Sequence, residues 1–140
     1  MAFRDGPRKL NVLVVDDEPA VGMVVGMQLH EDGMHAEITS TPEEALAAAD
    51  DRVPDLMILD YHMPRHNGLE VSQRIRAAHG AGIPGILVTG RVHALEQASL
   101  DEAGIEAVVT KPFSPKQLAA VARRVLEKRA SSGGVGGVAA

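Results

Sequence analysis

Five short apolar runs constrain the fold of this chain more than any other feature. They are rich in β-branched residues, show little alternation of apolar with polar side chains, and stop at polar residues. The runs cover residues 10–15, 36–39, 56–59, 85–89 and 107–110. Such runs are typical of strands buried on both faces, so they favour an interior parallel sheet over a half-exposed antiparallel one.

Segments of helical length separate the runs, and several have recognisable ends. Pro19 begins the first helix, which is expected to reach Asp32, and residues 41–44 begin the second. The remaining three are expected at residues 67–79, with Asn67 as N-cap, at 92–103 and at 114–129. Five strands alternating with five helices, joined by right-handed crossovers, predict a doubly wound α/β domain with helices on both faces of a parallel sheet.

The length of 140 residues accommodates one domain, which we place at residues 9–130. Residues 1–8 are predicted to be a flexible lead-in and residues 131–140, with four glycines, a flexible tail. The chain has no cysteine, which excludes disulfides, thiolate catalysis and cysteine-bound metal. Its longest apolar stretch, residues 20–27, is too short to insert into a membrane, so we expect a cytoplasmic protein.

Polar side chains follow four of the predicted strands where each strand ends. The carboxyl ends of parallel strands lie along one edge of a sheet, so these side chains should converge. They are Asp16, Asp17, Asp60, Thr89 and Lys111. Each has an ordinary explanation alone: a helix cap for Asp17, a turn for Asp60, a strand residue for Thr89 and a surface charge for Lys111. Their joint occurrence at four strand ends favours a functional site.

Three converging carboxylates need compensating positive charge. Two carboxylates about 4 Å apart repel by about 4 kcal/mol at an effective dielectric near 20. Lys111 supplies one charge, and Mg²⁺ suits the remainder because it prefers carboxylates, waters and phosphate oxygens. Zinc is disfavoured because His62 and His66 flank Pro64 and do not form a zinc motif. A carboxylate beside Mg²⁺, a lysine and a hydroxyl is suited to accepting a phosphoryl group.

Four motifs in order resemble the receiver domain of two-component response regulators. They are residues 13–18 (LVVDDE), 59–68 (LDYHMPRHNG), 88–90 (VTG) and 111–113 (KPF). The resemblance covers roughly residues 9–128 and implies a flavodoxin-like sheet with the five strands in the order 2-1-3-4-5. It also implies a Mg²⁺ cofactor and a histidine kinase or histidine phosphotransfer protein as phosphoryl donor.

Position by position, the resemblance implies that Asp60 is the phosphoacceptor. Asp17 resembles the direct Mg²⁺ ligand and Asp16 a ligand acting mainly through water, while the backbone carbonyl of His62 resembles the third protein oxygen. Thr89 and Lys111 resemble the residues that bind the phosphoryl oxygens. The bond between residues 111 and 112 is expected to be cis.

Four further positions bear on access and switching. Gly90 matches the small residue that leaves the phosphate accessible, and the side chains of His62 and Arg91 occupy positions that tune phosphoryl lifetime in the family. Solvent exposure without a role is the alternative for both. Val108 departs from the pattern, since receivers usually have an aromatic residue there that turns inward with the threonine. This departure places the threonine-to-aromatic relay in doubt.

The surface offers one candidate docking face. On the first helix, Val21, Val24, Val25 and Leu29 are expected to face inward, which leaves Met23 and Met27 exposed beside two glycines at positions 22 and 26. We expect this face to dock the helical phosphodonor. The net charge of −5 and the lack of a DNA-binding motif argue against nucleic acid as a partner, and a monomer or weak dimer is expected.

The favoured function is therefore a stand-alone phosphoreceiver that changes partner binding and is not an enzyme in the usual sense. A receiver excised from a hybrid histidine kinase, or a phosphate sink, stays open. A Mg²⁺-dependent phosphohydrolase acting through an aspartyl phosphate is a different class, disfavoured because Tyr61 and His62 follow Asp60 with no second acid two residues on. An adaptor whose switch is disabled by Val108 is the third alternative.

Overall fold

The computed structural model describes residues 9–91 and 95–139, with the side chains of 131–139 outside the description. Seven strands lie in this range: β1 (Asn11–Val15), β2 (His35–Thr39), β3 (Leu56–Asp60), β4 (His62–Met63), β5 (His66–Asn67), β6 (Gly85–Thr89) and β7 (Ile105–Thr110). Five helices separate them: α1 (Pro19–Glu31), α2 (Pro42–Asp51), α3 (Gly68–His79), α4 (Gln97–Glu102) and α5 (Pro115–Ala139).

The five long strands form one parallel sheet in the order β2-β1-β3-β6-β7. This is the predicted 2-1-3-4-5 order, because β4 and β5 form a separate small antiparallel hairpin. The three central strands are buried along their whole length, whereas the edge strands β2 and β7 are partly exposed. The continuous apolar runs thus belong to the centre of the sheet, as expected for strands covered on both faces.

Two apolar clusters fill the spaces above and below the sheet. Helices α1 and α5 cover one face, where Val25 and Leu29 pack with Leu118 and Ala122. Helices α2, α3 and α4 cover the other face. Within the described residues, no helix is both long and apolar enough to cross a membrane.

The predicted helix starts are confirmed for the first three helices. Pro19 occupies the first turn of α1, and the Thr41 hydroxyl caps α2 by accepting from the Glu44 N–H at 3.1 Å. Asn67 caps α3 in a reciprocal arrangement with Glu70: each side chain accepts from the other residue's backbone N–H. These caps fix the directions in which the helices leave the strand ends.

The predicted start of α5 at residues 114–115 is confirmed, but two other late boundaries differ from the predictions. Helix α4 begins at Gln97 rather than near residue 92, because the backbone of Glu96, its N-cap residue, is extended at φ −95° and ψ 135°. Residues 92–94, the predicted start of this helix, lie outside the described residues.

 

The carboxyl-terminal boundary also differs. Helix α5 continues to Ala139, about ten residues beyond its predicted end near Arg129, so the backbone of 131–139 is helical and not the expected irregular tail. No proline follows Pro115 in the sequence, so nothing sterically interrupts the helix despite its glycines. The predicted lead-in at residues 1–8 lies outside the described residues.

The inward face of α1 was partly mispredicted. Gly22 and Gly26 are buried, whereas Val24 is 49% exposed. A Cβ atom on either glycine would lie 2.7 Å from a side-chain carbon of Ile38, so only glycine allows α1 to approach β2 this closely. Apolar character alone had suggested that valine faces inward, but the close contact with β2 selects the two glycines.

Candidate functional site

The strand ends bring the predicted acids together. Asp16 and Asp17 follow β1, and Asp60 ends β3, the neighbouring strand. One carboxylate oxygen from each of the three lies within 4.8 Å of the others. Because Glu18 occupies the N-cap position of α1, Asp17 is not the helix cap that it could have been.

Lys111 reaches the same cluster from the end of β7. Its Nζ lies 3.2 Å from Oδ1 of Asp60, and the backbone N–H of His62 donates to that same oxygen at 3.3 Å. Asp60 is only 2% exposed, whereas the Lys111 side chain is 31% exposed. A buried carboxylate is thus in contact with a cation that remains accessible from solvent.

Burial and mutual repulsion leave the acids poorly stabilised as anions. Burial raises the pKa of Asp16 to about 6, the Glu18 N–H opposes this, and the charges of Asp60 and Asp17 add to it. Burial likewise raises the pKa of Asp60, although contact with Lys111 works in the opposite direction. Burial acts to lower the pKa of Lys111, but the carboxylate of Asp60 outweighs it and the pKa is raised.

Backbone contacts orient the two acids that follow β1. The Glu18 N–H donates to Oδ1 of Asp16 at 2.9 Å, and the Asp16 N–H donates to the Thr39 carbonyl at 3.0 Å. Asp17 is partly exposed and lines a neighbouring cavity of about 490 Å³. Asp16 is therefore fixed within the fold, while Asp17 faces the more open side of the cluster.

Thr89 ends β6 and is fully buried. Its hydroxyl oxygen accepts from the Arg91 N–H at 3.1 Å, and its carbonyl accepts from the Lys111 N–H at 2.9 Å. The peptide bond from Lys111 to Pro112 is cis, as predicted. Thr89 is thus hydrogen-bonded both to the residue that carries the lysine side chain and to the segment that follows β6.

The residues expected to control access are exposed. Gly90 is exposed, and among the residues that the structure describes no heavy atom outside its chain neighbours lies within 4 Å of the position that a Cβ would take. The side chains of His62 and Arg91 are exposed as well. Their effect on phosphoryl lifetime stays a prediction.

Two features beside the site were missed from the sequence. Residues 62–67 form the β4–β5 hairpin, in which Arg65 has φ 68°, and the sequence had suggested only a turn. Gly68, the next residue, is buried, and a Cβ there would lie 2.7 Å from the carbonyl oxygen of Asp60. In the sequence, the position of this glycine at the start of a helix, eight residues after the phosphoacceptor candidate, was the signal that could have predicted the close approach.

Val108 is partly buried and packs on the cluster beneath α2, α3 and α4. It pairs with Leu87 of β6, two residues before Thr89. A branched aliphatic side chain therefore fills the position at which the resembling family usually has an aromatic ring.

The candidate docking residues are confirmed as exposed. Met23 is 61% exposed and Met27 is 69% exposed, but the neighbouring Gly22 and Gly26 are buried. A separate apolar groove of about 640 Å³ adjoins the site, lined by residues at the start of α1 and by the segment after β7, including Lys111 and Phe113. The sequence had not predicted this groove.

Comparisons with known proteins agree on the family. Residues 12–123 match the response regulator receiver domain. The chain is 34% identical over 119 residues to the transcriptional regulatory protein TrcR of Mycobacterium tuberculosis, covering 85% of this chain and 46% of that protein. It is 32% identical to the DNA-binding response regulator MtrA of Mycolicibacterium smegmatis, covering 84% and 50%. The chain spans about half the length of these curated relatives.

Solved structures show the same fold. A CheY-like receiver domain protein from Methanospirillum hungatei superposes with a TM-score of 0.80 at 25% identity, covering 89% of this chain and 99% of that one. Chemotaxis protein CheY4 of Vibrio cholerae gives a TM-score of 0.78 at 27% identity, covering 84% and 99%. These neighbours match the described sheet and its helices across nearly their whole length.

Proposed function

The chain belongs to the receiver domains of response regulators, and from this premise we propose that it accepts a phosphoryl group on Asp60 in a Mg²⁺-dependent reaction and thereby changes its partner binding. The observation that carries the proposal is the contact of the buried Asp60 carboxylate with Lys111 inside a cluster of three acids. A nucleophile, a cation and metal ligands are therefore within reach of one another.

The donor set fits a hard divalent cation. Receiver domains generally bind Mg²⁺ at an acidic pocket, and Asp16, Asp17 and Asp60 supply three carboxylates here. We assign the backbone carbonyl of His62 to the ion as its third protein oxygen, beside those of Asp17 and Asp60, and Asp16 acts mainly through water. When bound, Mg²⁺ would neutralise negative charge on the transferring phosphoryl group.

The residues of this chain supply the rest of the chemistry. A carboxylate oxygen of Asp60 attacks phosphorus of a phosphohistidine, the P–N bond breaks, and an acyl phosphate forms on Asp60. Lys111 offsets charge on the phosphoryl oxygens, and the exposed Gly90 leaves the approach open. Because the reaction modifies the protein itself, we propose a phosphoacceptor and not an enzyme in the usual sense.

Phosphorylation would bias the arrangement around Thr89. The added group carries about −1.5 to −2 charge, which attracts the Lys111 ammonium and favours a hydrogen bond from the Thr89 hydroxyl. In the structure that hydroxyl oxygen accepts a hydrogen bond from the Arg91 N–H. Reorientation of the Thr89 hydroxyl toward the phosphoryl group would therefore change the conformation of the segment that follows β6. Val108 carries no ring that could rotate in response, so the change is transmitted through Thr89 and its loop.

Radioactive labelling by acetyl phosphate tests the proposal. Wild-type protein should incorporate label in Mg²⁺ and lose it with excess chelator, and Asp60→Asn should take up none. Asp51→Asn, which changes an exposed acid at the end of α2, is the matched control and should be labelled normally. Labelling of Asp60→Asn, or label retained without Mg²⁺, contradicts the proposal.

The phosphodonor we propose is a histidine kinase or a histidine phosphotransfer protein. The exposed Met23 and Met27 form an adaptable apolar surface on α1 suited to a helical partner. Changing either to Glu should slow transfer from the donor protein but spare labelling by acetyl phosphate. Equal losses in both assays would exclude a docking role for this surface.

The names of the curated relatives describe transcriptional and DNA-binding regulators. For this chain we propose a protein partner and not nucleic acid as the immediate target, since its net charge of −5 does not attract the phosphate backbone of nucleic acid. A receiver belonging to a hybrid kinase, or a phosphate sink, would show the same labelling. Partner affinity measured with and without beryllofluoride separates a switching receiver from these alternatives, because only the former changes affinity.

A further inference from the structure

Thr39 is the last residue of β2 and is buried beside the end of β1, with only 6% of its surface exposed. In the register of the sheet it pairs with Val15, the residue directly before Asp16. A hydroxyl group buried this deeply requires a hydrogen-bond partner inside the protein. The partners of Thr39 therefore bear on the segment that enters the cluster of three acids.

Thr39 makes two hydrogen bonds, one on each side of Val15. Its hydroxyl donates to the Val14 carbonyl at 2.9 Å, and its own carbonyl accepts from the Asp16 N–H at 3.0 Å. The peptide units before and after Val15 are thus both held by one residue of the neighbouring strand. The end of β1 cannot shift along β2 without breaking at least one of these bonds.

Asp16 extends this restraint to the next two residues. Its Oδ1 accepts from the Glu18 N–H at 2.9 Å, which closes a tight turn around Asp17. Asp17 is therefore flanked by Asp16, whose N–H is bonded to β2, and by Glu18, the N-cap residue of α1. The backbone that carries the Asp17 carboxylate is held on both sides.

The chemistry of the site requires such a restraint. One carboxylate oxygen from each of Asp16, Asp17 and Asp60 lies within 4.8 Å of the others, and like charges this close repel one another. A loose strand end would let the carboxylates move apart. Mg²⁺ demands near-ideal octahedral geometry, so its affinity depends on ligands that are already in place.

We propose that the Thr39 hydroxyl is a positioning group for the metal site. Through the Val14 carbonyl it holds the end of β1, so that Asp16 and Asp17 face Asp60 before an ion binds. In this assignment Thr39 contacts neither the ion nor the phosphoryl group and acts only through the β1 backbone. The inference rests on the proposed function, because it assumes that the three acids hold Mg²⁺.

Two substitutions separate the hydroxyl from the shape of the side chain. Thr39→Val keeps the branched shape but cannot donate to the Val14 carbonyl, whereas Thr39→Ser keeps the donor and loses a methyl group. Loss of an outer partner of a metal ligand typically lowers affinity about 10- to 100-fold, so we expect Thr39→Val to weaken Mg²⁺ binding about 10-fold and Thr39→Ser to stay within about 2-fold of wild type.

The affinity is measured by Mg²⁺ titration of the full chain, followed through the amide resonances of Asp17 and Asp60. The titration is run at a temperature at which circular dichroism shows every variant to be folded. A role in packing alone would leave Thr39→Val, which preserves the shape, closer to wild type than Thr39→Ser. The order of the two affinities therefore distinguishes positioning from packing.

Ser72→Ala is the matched control for loss of a buried hydroxyl. Ser72 is fully buried, and its hydroxyl donates to the backbone carbonyl of Ala103 at 2.6 Å. Its Oγ lies 3.7 Å from the position that a Cβ on Gly85 would take, at the start of β6, whereas the acids lie at the opposite ends of the strands. This variant should be less stable than wild type and should bind Mg²⁺ with unchanged affinity.

Hydrogen exchange of the metal-free protein measures the restraint without the ion. The Asp16 amide should exchange faster in Thr39→Val than in wild type, and by a larger factor than in Ser72→Ala. An exchange rate of that amide equal to the wild-type rate would overturn the proposal.

The titration gives two further results that would overturn it. The first is a Mg²⁺ affinity of Thr39→Val equal to that of wild type, and the second is an equal loss of affinity in Thr39→Ser and Thr39→Val. A wild-type protein whose resonances did not respond to Mg²⁺ would instead contradict the proposed function. Exchange of the Asp16 amide would then decide the restraint by itself.

Discussion

Replacing Asp16 by Asn should stabilise the protein in the absence of Mg²⁺. Burial raises the pKa of this carboxyl from its ordinary value of 3.8 to about 6. Below pH 3.8 it is protonated in both folded and unfolded chains. Between these values the unfolded chain ionises while the folded chain retains its proton, so stability falls as pH rises and levels off above about pH 6.

The size of the effect follows from the shift. About two pKa units correspond to about 3 kcal/mol. Water that reaches the open side of the cluster reduces this, and we expect about 1 to 3 kcal/mol at pH 7. The amide oxygen of Asn can still accept from the Glu18 N–H, now 2.9 Å from Oδ1 of Asp16. The variant therefore removes the charge and leaves the local hydrogen bond.

Urea unfolding with chelator, followed from pH 4 to pH 7.5, measures this directly. Asp16→Asn should match wild type near pH 4 and exceed its free energy of unfolding at pH 7. Glu43→Gln, an exposed acid on α2, is the control and should change stability by less than about 0.5 kcal/mol. Saturating Mg²⁺ should stabilise wild type much more than Asp16→Asn. Equal stability of the two proteins at pH 7 without metal would refute the reasoning.

Three further substitutions test the packing around the site. Gly68→Ala places a Cβ 2.7 Å from the carbonyl oxygen of Asp60, so it should cost about 1 to 3 kcal/mol in urea unfolding and reduce labelling; unchanged stability would contradict the contact. Ser72→Ala removes a buried hydrogen bond to the Ala103 carbonyl, 2.6 Å long, and should cost about 1 to 3 kcal/mol in thermal unfolding. Val108→Ala should cost about 1 kcal/mol yet preserve the amide shifts that beryllofluoride induces in α4, whereas their loss would show that Val108 transmits the signal.

The central strands of the sheet could be predicted because each must be apolar on both faces. β1, β3 and β6 are covered on both faces, so their sequences are continuously apolar, and the polar residues that follow mark the edge of the sheet. Local capping chemistry likewise predicted the start of α3 at Asn67. Both signals are contained within a few neighbouring residues.

The errors occurred where distant contacts decide the structure. Gly22 and Gly26 face inward because of Ile38, on a strand that follows the helix, and hydrophobicity along α1 alone favours Val24 instead. The short α4 begins directly after Glu96, whose backbone is extended. The Glu96 side chain makes no capping hydrogen bond, so the sequence carries no strong signal for this helix start. At the two glycines, tertiary contact thus overrides the local preference.

The sequence predicted the charged residues of the site but not the backbone that surrounds them. Strand-end position alone brought Asp16, Asp17 and Asp60 together. The β4–β5 hairpin and the close approach of Gly68 depend on the path of the backbone after Asp60, which residue types do not specify. Motif resemblance suggested the groups that we propose to react, while the structure supplies the distances between them.

The same cluster argues against a purely structural role for the three acids. Burial raises the pKa of both Asp16 and Asp60, so keeping these carboxylates ionised at neutral pH destabilises the folded chain. Lys111 compensates only part of this charge, and one cation among three acids leaves an excess of negative charge. Such a local conflict is the expected mark of a binding or reacting site. An adaptor without phosphoryl chemistry would not require these destabilising carboxylates. The greater stability expected of Asp16→Asn without Mg²⁺ would demonstrate the free-energy cost of keeping the Asp16 carboxylate ionised.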